Sequence, residues 1–249
     1  MKRQFGLIGF PLSHSFSRKF FTDKFLNEQI EAEYLNFEIE NISDLVHLIQ
    51  IHPDLEGINV TIPYKELVIP YLDQIDDSAA QIKAVNTIKI LRSGRKISLY
   101  GYNTDIHGFE QSIKPILQQQ HHKALVLGTG GASKAVLKAL ENIGIAAIKV
   151  SRNPEDKGEI SYGDLDQDVM TNYKVIVNTT PIGTYPNTDG CPAIPFEYVT
   201  SSHLLFDLVY NPEVTTFLRL GQEKGAIIKN GLEMLHLQAL AAWEIWNRD

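Results

Sequence analysis

Apolar positions along the chain alternate between short continuous runs and stretches in which they return every three or four residues, and that alternation predicts an α/β protein. Phe5 to Gly9 reads as a strand, followed by a helix from about Ser15, a strand from Glu33 to Phe37 and a helix from Ile42 to Ile51. Ile58, Val60 and Ile62 alternate with Asn59 and Thr61, so the two-residue period of a strand sets an amide and a hydroxyl on one face and the aliphatic side chains on the other. Pro63 stops that ladder. Lys65 then falls just past the strand end, where a loop can hold an amine over a pocket; a solvated lysine at a strand edge is the competing reading. Val85 to Leu91 and Lys96 to Tyr102 flank Ser93-Gly94 as a hairpin, so the sheet of this region is expected to be mixed.

The polar tract Gln118 to His122 reads as a boundary, and the pair His121-His122 as part of a solvated loop. After it, Ala124 to Leu127, Ala146 to Val150, Val175 to Asn178, Leu204 to Leu208 and Ala226 to Ile228 are short apolar runs of the kind that form buried parallel strands. Val136, Leu140 and Ile143 mark a helix between the first two. A last helix, from about Leu232 to Trp246, carries Leu235, Ala239, Ala242 and Trp246 along one face, consistent with packing back on the first region. Two domains are expected, residues 1–104 completed by a helix over 233–249, and residues 105–232.

Composition narrows the chemistry. With 249 residues and 43% hydrophobic content the chain can build sizeable cores without staples. The single cysteine, Cys191, rules out an intrachain disulfide, and no Cys/His spacing resembles a metal site. A net charge of −7 without a concentrated basic patch argues against a nucleic-acid surface. Lys2 and Arg3 precede apolar Phe5 to Leu12, but glycines, Pro11 and the Ser/His cluster interrupt any signal-peptide pattern, and no apolar stretch approaches membrane-spanning length. A cytoplasmic protein is expected.

Gly128-Thr129-Gly130-Gly131-Ala132-Ser133 follows a strand and opens a helix, the context in which glycines let a backbone approach a pyrophosphate at the positive end of a helix dipole. Ser133 stands where a third glycine often does, and a ligand-free glycine turn is the alternative. A P-loop fails, because Lys134 lacks the preceding glycine and the following hydroxyl residue. About 20 residues on, where an NAD site places an acidic group, the chain reads Ser151-Arg152-Asn153. An arginine cannot accept from ribose hydroxyls, but its fork suits a 2′-phosphate, which favours NADP. Lys157 can add a second charge or be solvated.

Six segments occur in a family's order. Gly9-Phe10-Pro11-Leu12-Ser13-His14-Ser15-Phe16-Ser17, Asn59 to Glu66, Ala84-Val85-Asn86-Thr87, Gly101-Tyr102-Asn103-Thr104-Asp105, the glycine loop and Asn230-Gly231-Leu232-Glu233-Met234-Leu235 with Gln238 resemble the shikimate dehydrogenase family over essentially the whole chain. The resemblance implies an N-terminal α/β substrate domain with a mixed sheet, a Rossmann-type NADP-binding domain, and an active site in the cleft between them. It also implies reversible NADPH-dependent reduction of 3-dehydroshikimate to shikimate in aromatic amino-acid biosynthesis, by a monomer or homodimer. By resemblance Ser15 and Ser17 bind a substrate carboxylate, and Asn59, Thr61, Asn86, Tyr210 and Gln238 surround the ring hydroxyls. Cofactor contacts fall on Gly128, Thr129, Gly130, Gly131, Ala132, Ser133, Ser151, Arg152, Leu208 and Gly231, with Met234 lining the cleft. Arg18 stands where the family usually has proline.

Lys65 and Asp105 carry the expected catalysis. Hydride addition to a ketone leaves a developing alkoxide that needs a proton, and an ammonium at the carbonyl oxygen serves that need in both directions. Asp105, at the end of its strand, can orient the lysine and accept from a neighbouring hydroxyl. Rival readings are a quinate/shikimate dehydrogenase of broader specificity, a non-catalytic paralogue that senses NADP or a cyclic metabolite, and a methylenetetrahydrofolate dehydrogenase, which has no use for the paired serines or Gln238.

Overall fold

The structure, a computed structural model, describes residues 2–12, 16–155 and 158–248. The chain falls into two units, Met1–Thr104 with Gln238–Asp249, and Asp105–Leu237. The first contains β1 (Arg3–Gly9), α1 (Phe16–Asn27), β2 (Ala32–Glu38), α2 (Asp44–Ile51), β3 (Leu55–Val60), the single turn α3 (Tyr64–Leu67), β4 (Gln74–Ile75), α4 (Asp77–Ile82), β5 (Thr87–Ser93) and β6 (Lys96–Tyr102). The strands form one sheet in the order β2-β1-β3-β5-β6-β4. β1 is parallel to β2 and β3, and β5 is antiparallel to both β3 and β6, so the sheet is mixed as the hairpin signal required.

Each face of this sheet has its own core. Ile8, Ile58, Val60 and Ile88 point to one side, against Leu45, Leu48 and Ile49 of α2. Phe5, Leu7 and Tyr34 point to the other, against Phe21 and Phe25 of α1 and Ala239, Ala242 and Trp246 of the C-terminal helix. Trp246 stacks on Phe5 with ring centroids 4.8 Å apart, and its indole N–H donates to the Ile88 carbonyl at 3.0 Å. Gly57 makes that approach possible, since a Cβ there would lie 2.3 Å from Trp246 Nε1.

The second unit holds most of α5 (Thr104–Ile113), then β7 (Lys123–Leu127), α6 (Gly131–Asn142), β8 (Ala146–Ser151), β9 (Glu159–Ser161), α7 (Gln167–Asn172), β10 (Val175–Asn178), β11 (Leu204–Asp207), α8 (Thr216–Glu223), β12 (Ile227–Lys229) and the start of α9 (Leu232–Asn247). Its sheet runs β12-β11-β10-β7-β8-β9, and every neighbouring pair is parallel. Counted within the unit this is the order 3-2-1-4-5-6 read from the β9 edge, the doubly wound dinucleotide arrangement. Its switch point lies between β7 and β10. Among the described residues no helix is long and apolar enough to cross a membrane.

Several expectations need correction. β3 ends at Val60, and Ile62 is 75% exposed rather than part of the buried alternation, because the chain turns at Thr61, whose carbonyl accepts from the Tyr64 N–H at 2.9 Å. Lys65 therefore sits on α3 and not in a loop. Asp105 lies in the first turn of α5, not at a strand end. The tract 118–122 falls inside the second unit, and β8 is only partly buried at most positions.

His121 is buried, not solvated. Its Nδ1 accepts from the Gln118 N–H at 2.9 Å, which leaves Nε2 to donate to the Ser202 carbonyl at 3.2 Å. His203 repeats the pattern, accepting from the Thr200 N–H at 3.0 Å and donating to the Met170 carbonyl at 2.9 Å. A ring nitrogen that accepts must be unprotonated, so both imidazoles are neutral in the fold. Burial lowers both pKa values, and the nearby Lys174 lowers that of His203 further.

Gly57→Ala forces Cβ onto the Trp246 ring and is expected to lower unfolding free energy by about 2 kcal/mol in urea titration, with an unchanged denaturant slope. For the histidines the unfolded chain binds more protons than the fold, so their stabilisation is complete above about pH 6.5 and is lost as pH falls through that value. Urea midpoints measured from pH 7.5 to 5.5 should decline, and the decline should be shallower in His203→Gln.

Candidate active site

Side chains at the strand ends of the first unit form one continuous hydrogen-bonded chain. It begins at Ser17 in the first turn of α1, whose hydroxyl bonds the Tyr34 hydroxyl. Tyr34 donates to Asn59 Oδ1 at 2.7 Å, and Asn59 Nδ2 donates to Thr87 Oγ1 at 3.1 Å and to the Asn86 carbonyl at 3.4 Å. Thr87 donates to Asn86 Oδ1 at 3.1 Å. Asn86 Oδ1 also accepts the Thr104 N–H at 2.7 Å, and its Nδ2 donates to Thr104 Oγ1 at 3.0 Å. Thr104 Oγ1 in turn reaches Gln238 Oε1 at 3.4 Å. Asn59, Asn86, Thr87, Thr104 and Gln238 are all buried, so an amide or hydroxyl left without a partner here would be costly. Burial raises the Tyr34 pKa, partly opposed by the Ser17 hydrogen bond, and keeps the phenol protonated.

Backbone bonds bring two further predicted residues to the same strand ends. The Thr61 N–H donates to the Ile8 carbonyl at 3.0 Å, and Gly9 lies so near that a Cβ on it would be 2.5 Å from Thr61 Cγ2. The Lys65 carbonyl accepts the Val85 N–H at 2.8 Å, while the Asn86 carbonyl accepts the Val60 N–H at 2.8 Å. Lys65 is thus pinned beside Asn86, with its side chain half-buried. Asp105 follows Thr104 directly and is half-buried. Ser15 and Lys157 lie outside the described residues.

In the second unit the glycine loop occupies the C-terminal end of β7 at the switch point. Gly128 has φ +108°, and a Cβ on it would meet Thr179 Oγ1 and Thr180 Cγ2, both at 2.9 Å. Gly130, the N-cap of α6, offers no side-chain cap, and a Cβ on Gly130 or Gly131 would meet no atom within 4 Å. First-turn amides facing open space at a helix N-terminus are a cradle for a phosphate anion, and the residues present fit a dinucleotide. Thr129 is exposed and Ala132 half-buried beside that space, whereas Ser133 is buried and donates to the Gly130 carbonyl at 2.7 Å, closing the helix turn rather than facing a ligand. Ser151 donates to the Asn153 carbonyl at 3.1 Å and accepts the Asn153 N–H at 3.2 Å, a local turn that leaves Arg152 exposed at its centre. Arg152 lies close enough to Tyr162 to oppose the rise in that phenol's pKa caused by burial.

Leu208, Tyr210 and Gly231 belong to the end of β11 and the entry to α9. A Cβ on Gly231 would lie 2.1 Å from the Leu208 carbonyl oxygen, so this glycine is required for backbone packing and not only for ligand access. Tyr210 is 40% exposed. Beneath them, buried Asp207 accepts from Thr215 Oγ1 at 2.6 Å, Asn178 Nδ2 at 2.9 Å and the Val209 N–H at 3.0 Å. Burial pushes its pKa up to about 6 against those three hydrogen bonds.

A family model for the shikimate dehydrogenase substrate binding domain matches residues 7–88. The Clostridium beijerinckii protein named shikimate dehydrogenase (NADP(+)) is 39% identical over 251 residues, covering 97% of this chain and 91% of that one. The chain belongs to the shikimate dehydrogenase family. Shikimate dehydrogenase from Aquifex aeolicus superposes with TM-score 0.85 at 35% identity, over 99% of this chain and 92% of that one. The Thermus thermophilus shikimate 5-dehydrogenase, solved with NADP(H) and shikimate, gives TM-score 0.85 at 29% identity, over 98% of this chain and 93% of that one.

Against the family's motifs, sequence reasoning singled out Asn59, Asn86 and Gln238 but passed over Tyr34, Thr87 and Thr104, which join them. Thr87 and Thr104 stand inside quoted motifs, and pairing of each with the neighbouring asparagine was a usable signal. Tyr34 had none. The glycine loop yields a test. Gly131→Ala is expected to leave the thermal midpoint within about 1 °C while weakening NADPH binding at least about ten-fold by fluorescence titration, because its Cβ enters only the cradle. Gly128→Ala should instead lose stability directly, by about 1–3 kcal/mol.

Proposed function

We infer that this chain is an NADP-dependent shikimate dehydrogenase, an oxidoreductase that interconverts 3-dehydroshikimate and shikimate in the cytoplasm on the route to aromatic amino acids. The carrying observation is the 39% identity to an NADP-dependent shikimate dehydrogenase across 97% of the chain. The saturated chain of amides and hydroxyls at the first unit's strand ends supports it, because a ligand with several hydroxyls needs groups that donate and accept from fixed positions. The open cradle at α6 and the exposed Arg152 support a dinucleotide phosphate, with Gly128 to Ala132 about the pyrophosphate and Arg152 at the 2′-phosphate.

When bound, NADPH supplies the hydride. The protein's part is binding, orientation and the proton. Ser15 and Ser17 hold the substrate carboxylate by their hydroxyls, and Asn59, Thr61, Asn86, Tyr210 and Gln238 fix the ring hydroxyls. Lys65 Nζ places its ammonium at the carbonyl oxygen and delivers a proton as negative charge develops there; in the oxidative direction it receives the proton back. Asp105 orients that ammonium and accepts from the adjacent ring hydroxyl. Leu208 and Gly231 line the nicotinamide end.

The test is absorbance of the reduced nicotinamide with purified protein and shikimate, run with NADP, with NAD and with quinate in place of shikimate. Turnover with NADP and shikimate is expected, with little from NAD or quinate. Lys65→Ala should lower kcat by about 10²–10⁴-fold while shikimate still binds by calorimetry. Comparable rates with NAD or quinate would place the chain in the broader-specificity branch, and cofactor binding without turnover would overturn catalysis in favour of sensing.

A further inference from the structure

Between Ser17 and Asn59 stands Tyr34, to which the substrate reading gives no role. Its ring is stacked on Phe21 with centroids 4.7 Å apart and planes within 12°, so the phenol is held by the aromatic core, and the residue is only 4% exposed. Its hydroxyl meets two residues assigned to substrate, Asn59 at 2.7 Å and Ser17.

Two backbone groups fix the orientation of both asparagine amides in this chain. The Asn86 carbonyl can only accept, so the Asn59 atom facing it is Nδ2 and the atom facing Tyr34 is Oδ1. The Thr104 N–H can only donate, which fixes Asn86 Oδ1 in the same way. Asn59 Oδ1 therefore requires the one proton of the Tyr34 hydroxyl, and Ser17 must donate to Tyr34. Ser17 also has only one proton. A carboxylate arriving at Ser17 accepts the hydrogen bond from that hydroxyl, and Tyr34 gives up an accepted bond while still donating to Asn59.

We propose that Tyr34 is a positioning residue: it holds the Asn59 amide in a single orientation, and it releases the Ser17 hydroxyl to a ligand carboxylate without disturbing that orientation. The inference rests on the functional reading above. It makes the carboxylate and hydroxyl ends of the substrate site one hydrogen-bonded unit within the first sheet, with the phenol as the joint.

Tyr34→Phe tests it, since the ring and its stacking remain and only the joint is lost. Asn59 Oδ1 then has no donor, the amide can turn, and KM for shikimate should rise about ten-fold with kcat within about two-fold. NADPH affinity by fluorescence titration should be unchanged. In an Asn59→Ala background the same substitution should add no further rise in KM, because the effect passes through Asn59. A lower thermal midpoint with unchanged KM, or a KM effect that persists in the Asn59→Ala background, would overturn the proposal while leaving shikimate dehydrogenase activity intact. Wild-type protein that binds NADPH but does not turn over shikimate would overturn the functional reading and this inference together.

Discussion

The hydrogen bond from the Thr104 N–H to Asn86 Oδ1 is the fixed point of the first unit. A backbone amide cannot reverse its polarity, so Asn86 cannot flip; its own carbonyl fixes Asn59 in the same way, which settles the direction of the Tyr34 hydrogen bond. Burial makes the constraint strict, since every mispaired group would carry a desolvation cost. The strand ends are thus ordered before any ligand arrives, which is what a site for a polyhydroxylated ring requires of its protein.

Glycine supplies the complementary freedom. Gly57 admits an indole and Gly231 a carbonyl oxygen, both inside packed structure, whereas Gly130 and Gly131 border empty space. The same residue type does opposite things at these sites, filling a gap too small for a methyl group in one case and leaving a larger one open in the other. At Gly130 and Gly131 that open space adjoins the first turn of α6.

Much of this was legible in the sequence because periodicity is local. The alternating runs gave the α/β class, the hairpin gave the mixed sheet, and the five apolar runs gave the parallel strands of the second unit. β4 and β9, of two and three residues, are too short to show a period. Ile62 misled because its alternation continues past the turn at Thr61, and His121 because a glutamine-rich neighbourhood reads as solvated although its ring is clamped between Gln118 and Ser202. Tyr34 was invisible for a deeper reason. Its role depends on register between strands, with Phe5 opposite it and Asn59 one strand further on, and register is not written in any one segment.

The division of the first unit between the two ends of the chain also bears on how it folds. Its aromatic face, Phe5, Phe21, Phe25 and Tyr34, is covered by Ala239, Ala242 and Trp246 from α9. During synthesis these residues leave the ribosome after every strand of both sheets, so the N-terminal sheet waits with one apolar side covered only by α1 while the intervening unit, continuous in sequence, can already close. The part of the protein made first is completed last, and the interval between is when its aromatic face is open to chaperones or to a second chain.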